Sequence, residues 1–501
     1  MNLKNVFHFL FIVFAPFTTY LYTLESHNNH ENEQATWSRF DPRLISQEEI
    51  IELMAQAHKD DESFFATTQD LEEIRAINAP KDWTLIVYIA ADNDLYPFAW
   101  KNIKQLEQVG SNEHLNIVVQ LNTPGSTTPT KRYLVKKGRR ILIQDNNQTL
   151  SKLNSGSPQT LIDCARWAVQ HYPANHYAMV FWNHGSAAID PIFTKTINPC
   201  DLFYCDPIDH MLKIDRGISY MTLLSQLTQN KWYVSDKRGI CFDDNFKSYI
   251  NNTELDFALS EIYNNILNKK KLDLVIFDAC LMSMIEISSI IQKYANYMAA
   301  SEEVVYGTGQ NYDLMLRPFL QGSISPRDFA KHVVLAYEQT YQKIINDYTF
   351  SALDLSIEPL LEANIDHVAN LLKEALTYQI NHSVSNMLRK CKSTQFCTCF
   401  DEPSYIDIGD FYLNLLRHLQ HISLKNKQQE SVLQNELAQL LKEGLNIIQN
   451  LTIQNRTGQK LQRAQGLSIY FPEHSIATNY LKSPFAICNS WSQLLMRYVF
   501  N

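Results

Sequence analysis

The chain has 501 residues, 45% of them apolar and 19% charged, which is enough to bury a large core and excludes both a single small module and global disorder. Lys and Arg number 44 against 53 Asp and Glu, a net charge of -9; with no basic domain to concentrate positive potential, nucleic acid is excluded as a partner. The nine cysteines are an odd number at scattered spacing, so even complete pairing leaves a free thiol.

At the amino terminus Lys4 precedes an apolar run over 6–22 broken by His8 and Pro16. This reads as a signal peptide or anchor over 1–24 and implies export, periplasmic, secreted or surface, with membrane contact only if the anchor is uncleaved. Residues 25–80 form a polar linker or pro-segment, with one amphipathic helix opening on the capping box Ser46-Gln47-Glu48-Glu49. From Trp83 the texture changes. Apolar runs over 83–90, 115–121, 177–182 and 272–277 alternate with helical patterns over 97–109 and 160–171 and after Cys280. Strands alternating with helices predict an α/β fold, a mainly parallel sheet covered by helices on both faces.

The stretch 186–251 is a long connection containing Pro191, Pro199 and Pro207 and the basic residues Lys195, Lys213, Arg216, Lys237 and Arg238. Segments of this kind are functional or are nicked by proteases. Beyond Tyr348 a strand over 349–355, helices through 376 and from 408 to 448, and a late strand over 466–471 predict a mixed α+β carboxy-terminal domain. The organisation is then 81–345 for a catalytic domain and 346–501 for that second domain.

Two of the strands run into reactive side chains, Asn183-His184-Gly185 and Asp278-Ala279-Cys280. The carboxyl ends of parallel strands form the ligand crevice, where neighbouring strands would set His184 against Cys280. A thiol is only slightly ionised at neutral pH, and an imidazolium or a helix amino terminus beside it stabilises the thiolate. The same histidine can protonate a leaving amine. Gly185 leaves room for a carbonyl, so its N–H with that of Cys280 can form an oxyanion hole.

Other motifs return little. Cys391, Cys397 and Cys399 lack zinc spacing, and Asp92-Asn93-Asp94 meets Tyr96 and Pro97 where an EF-hand needs further ligands, so no metal ligands are assigned. The acidic turn reads as the end of a strand and the start of a helix.

The segments WTLIVYIAADNDL (83–95), YPANHYAMVFWNHGS (172–186), LDLVIFDACLMS (272–283) with Glu286, and ASEE (300–303) with Gly307 and Gly309 resemble the clostripain family of cysteine peptidases. GLSIYFP (466–472) resembles that family's carboxy-terminal segment, so the likeness spans about 81–501. The resemblance implies a caspase-like sheet, His184 as catalytic histidine, Cys280 as nucleophile, and Asp278 as the acidic residue that binds a basic P1 side chain. It further implies a polypeptide substrate cut after Arg or Lys, activation by internal cleavage in many members, and a calcium requirement in some, although the chemistry itself needs no cofactor. Two positions depart from the pattern: Ala187 stands where the family has glycine, and Gln310 where it has tryptophan. A catalytically silent peptide-binding relative, and a thiol amidase or transpeptidase on the same dyad, are the alternatives.

Overall fold

The structure, a computed structural model, describes residues 80–143, 150–188, 203–205, 211–214 and 239–500, together with Glu52. They belong to one compact unit, 37–501. The expected signal or anchor, nearly all of the linker, and the basic positions Lys195, Arg216, Lys237 and Arg238 lie outside the described residues. Among the described residues no helix is long and apolar enough to cross a membrane.

The sheet is built from β1 (Lys81–Ala90), β2 (Leu115–Asn122), β3 (Lys131–Lys136), β4 (Arg139–Ile143), β5 (Ala174–Trp182), β6 (Leu272–Asp278), β7 (Ala295–Ala300), β8 (Thr349–Asp354) and β9 (Thr452–Thr457). Its order is β9-β8-β7-β6-β5-β1-β2-β3-β4. The central strands β7, β6, β5, β1 and β2 are mutually parallel, and antiparallel pairs close both edges. Every residue of β2 and β6 is buried, because helices cover both faces of a parallel sheet and no alternation with polar residues survives. Helices α1 (Tyr96–Val109) and α2 (Pro158–His171) follow the sequence patterns closely, each opening with Pro in its first turn, where the missing N–H costs nothing.

Strands β8 and β9 extend the same sheet, so the expected boundary near residue 346 does not divide it. The late strand is a separate element, Ser468–Tyr470, paired antiparallel with Tyr405–Asp407. It docks under the turn that follows β6, where Ser468 N donates to Ser283 O at 3.0 Å and Ser283 Oγ to Gly466 O at 2.7 Å. The helix expected directly after Cys280 starts only at Ile285 and ends at Ile291. Four residues, 281–284, separate Cys280 from its start.

Candidate active site

Register places the two reactive residues. Strands β5 and β6 are parallel neighbours with Trp182 opposite Asp278, and Asn183 N donates to Asp278 O at 3.3 Å. His184 and Cys280 each lie two residues beyond that matched pair, at the carboxyl ends of adjacent strands. They are 3% and 6% exposed. Gly185 packs directly on the nucleophile turn, since a Cβ there would lie 2.6 Å from Cys280 O and 2.9 Å from Met282 Sδ.

The backbone leaves β6 abruptly. Leu281 adopts φ 66°, a left-handed conformation that costs a side chain about 1–2 kcal/mol and that clusters at functional sites. This kink turns the chain straight after Cys280. Val305, in the segment after β7, places its N 3.3 Å and its O 3.6 Å from Cys280 Sγ, so a backbone N–H points at the sulfur. Ala187 is also left-handed, at φ 51°, so this chain keeps the turn at a steric cost.

His184 has a partner that the sequence reading missed. Its Nε2 lies 2.6 Å from Asp94 Oδ1. The acidic turn at Asp92-Asn93-Asp94 does end β1 and precede α1, but its third residue reaches the imidazole across the strand ends. The signal was present as an acidic residue at a strand end; the partner 90 positions away was not readable from local pattern.

Asp278 is 4% exposed. Its two oxygens accept Gln310 N–H at 3.0 and 3.1 Å, and Oδ2 also accepts Tyr312 O–H at 2.8 Å. Burial pushes its carboxyl up to about 6, against the lowering effect of those bonds. No cation in the described residues balances it. Gln310 itself is fully buried and both side-chain amide atoms lack a partner.

A second carboxyl layer supports the nucleophile turn. Glu286 Oε1 accepts Tyr470 N–H at 3.2 Å and Tyr480 O–H at 3.0 Å, and burial pushes its carboxyl up to about 7. Glu302 Oε2 accepts Gly466 N–H at 3.1 Å. Burial and the adjacent Asp407 hold Glu302 well above the usual carboxylate range, while burial raises Asp407 to about 6.

Among the described residues seven cysteines are unbridged. Burial pushes Cys164 and Cys391 up to about 12, which makes them poor nucleophiles. Also among the described residues, no group of three or more His, Cys, Asp or Glu is arranged to hold a metal ion. Of the basic positions in the long connection, Lys213 is described; it lies on the short strand Leu212–Ile214 and is 6% exposed, which removes it as a nicking site.

A model of the clostripain family matches residues 87–198 and 226–497. Clostripain from Hathewaya histolytica is 23% identical over 255 residues, which are 46% of this chain and 40% of that protein. The match thus spans less than half of that relative's length. The structure of a secreted C11 cysteine protease from Bacteroides thetaiotaomicron, in complex with an irreversible peptide inhibitor, aligns with TM-score 0.51 and 19% identity over 84% of this chain and 100% of that one. An inactive zymogen C11 protease from Parabacteroides distasonis aligns with TM-score 0.52 and 16% identity over 83% and 99%. At such identities these two structures speak for the fold, a mostly parallel caspase-like sheet flanked by helices. Together with the family model, which covers most of the sequence, they place the chain: it belongs to the clostripain family of cysteine peptidases.

Proposed function

We propose that this chain is an exported cysteine endopeptidase that cuts polypeptides after Arg or Lys, with Cys280 as nucleophile and His184 as proton carrier. The observation that carries this reading is the β5/β6 register, which sets His184 and Cys280 at the ends of adjacent strands. In the proposed cycle the thiol proton passes to His184 and the thiolate attacks the scissile carbonyl carbon. The N–H groups of Gly185 and Cys280 hold the oxyanion. The C–N bond then breaks, His184 protonates the departing amine, and water hydrolyses the thioester.

Basic specificity is supported by Asp278, a buried carboxylate that no cation among the described residues balances, two residues from the nucleophile. Cleavage within the long connection activates the chain in this reading, and the chemical step uses the side chains of Cys280 and His184 with no bound cofactor. Purified protein is tested with Arg, Lys and Leu P1 reporter peptides, with and without an added amine nucleophile, and with calcium or a chelator. Hydrolysis of the basic reporters supports the reading. Aminolysis products in place of hydrolysis favour a transpeptidase, and no turnover of any reporter in intact or nicked protein favours the silent peptide-binding relative.

A further inference from the structure

Two asparagines hold the ends of β1 and β5 on one pair of acceptors. Asn93 Nδ2 donates to Ala90 O at 3.1 Å and to Phe242 O at 2.8 Å; Asn183 Nδ2 donates to the same two carbonyls, reaching Phe242 O at 3.1 Å. Their carboxamide oxygens are used as well: Asn93 Oδ1 accepts Leu95 N–H at 2.9 Å, and Asn183 Oδ1 accepts Phe242 N–H at 2.7 Å. Both side chains are buried, so breaking any of these bonds strands a polar group and costs about 1–3 kcal/mol. The clamp is therefore stiff. Each asparagine immediately precedes one member of the contact described above, Asp94 after Asn93 and His184 after Asn183.

The clamp fixes where those two residues leave the backbone, and across it Asp94 Oδ1 meets His184 Nε2 at 2.6 Å. The N-cap of α1 is Leu95, whose own side chain makes no capping bond. An ionised carboxylate only accepts hydrogen bonds, so this contact requires the proton on Nε2 and leaves Nδ1 to act elsewhere. We infer that Asp94 is a positioning residue for the proposed peptidase chemistry, making the unit Cys280–His184–Asp94, and the inference rests on that reading. Nδ1 of His184 takes the thiol proton as the sulfur bonds to the carbonyl carbon, then gives it to the amine as the C–N bond breaks. Asp94 changes neither its protonation nor its partner. It holds the ring in one orientation and stabilises the imidazolium between the two transfers.

The test compares wild type, Asp94→Asn, Asp94→Ala and Cys280→Ala on a P1 Arg reporter, with active sites counted by irreversible alkylation. The Asn variant is isosteric and retains an acceptor oxygen without the charge. The expected result for Asp94→Ala is a fall in kcat per titrated site of about 100-fold with KM changed less than about threefold, and for Asp94→Asn an intermediate fall of about 10-fold. A kcat per site within about threefold of wild type in Asp94→Ala overturns the inference. So does a loss confined to KM or to the number of sites that can be titrated, since either reports binding or folding. Turnover that survives Cys280→Ala sinks the peptidase reading itself, and this inference with it.

Discussion

Gly185 and Cys280 are in backbone contact: the space a Cβ on Gly185 would need lies 2.6 Å from Cys280 O. Two strand ends that carry reacting groups can approach this closely only if one of them has no side chain. Gly185→Ala should push the His184 turn away from the nucleophile turn, lowering stability by about 1–3 kcal/mol, as overpacking does, and lowering kcat/KM by at least about 10-fold, since reacting groups tolerate little misplacement. Thermal unfolding and reporter kinetics on one preparation measure both; unchanged values would show that the contact is slack.

Under the proposed mechanism Cys280→Ala removes the nucleophile and should reduce turnover by about 10⁴-fold or more. The side chain is small and Ala keeps the Leu281 kink, so melting should shift little. His184→Ala should do comparable damage, and the double variant hardly more, because the two groups act as a unit. Additive losses in the double variant would mean that the residues act in separate steps.

How much of this could be read from sequence depends on what each element buries. Strands β1, β5 and β6 announce themselves because burial on both faces leaves unbroken apolar runs. Strands β3 and β4 do not, since their apolar residues form only three-residue runs, 133–135 and 141–143, flanked by Lys and Arg around a turn at Gly138 with φ 76°. Arg140 looks like a loop residue yet is fully buried, 2.9 Å from Glu107 and over the ring of Trp100 at 5.1 Å. Strand β9 is a polar edge strand with no buried residue and so carries no apolar pattern. At the site, Cys280 and His184 were legible as strand-end residues with a family likeness. Asp94 was visible as an acidic turn, but its role depends on the β1/β5 register, which no local spacing encodes.

The carboxyl layer under the nucleophile turn predicts a pH dependence of stability. Glu286 is raised to about 7 by burial, so the folded chain holds a proton that the unfolded chain releases near the usual 4.5. Stability is greatest below that lower value and falls as pH rises toward about 7, by about 3 kcal/mol for a fully buried group shifted this far. Asp278, Asp407 and Glu302 are shifted the same way and add to the slope. Glu286→Gln keeps an acceptor for Tyr470 N–H and Tyr480 O–H without the ionisation. Its melting temperature should therefore decline less than that of wild type between pH 5 and 8. Parallel declines in the two proteins would show that Glu286 does not titrate in that window.

Specificity offers the sharpest division between two roles for Asp278. As a purely structural acid it would hold the Gln310 backbone and Tyr312, which it does. As the floor of the P1 subsite it would also take a cation, and two features of its surroundings favour that: a buried carboxylate with no counter-ion among the described residues, and the amide of Gln310, on the neighbouring backbone, with no partner among them. Unsatisfied buried groups cost stability and are retained where a ligand completes them. A guanidinium brings five donors in a planar fork against the three of an ammonium, so Arg should be cut faster than Lys, and both far faster than Leu. Asp278→Asn keeps one acceptor oxygen for Gln310 N–H or Tyr312 O–H but no charge. It should reduce kcat/KM for the Arg reporter by about 10- to 150-fold, the worth of a charged hydrogen bond, while leaving the slow Leu reaction unaltered. Wild-type preference for Arg should also fade as pH falls through about 6, where the carboxyl takes up its proton. Equal cleavage of Arg and Leu reporters by wild type, or equal loss on both in Asp278→Asn, would assign Asp278 to the scaffold alone.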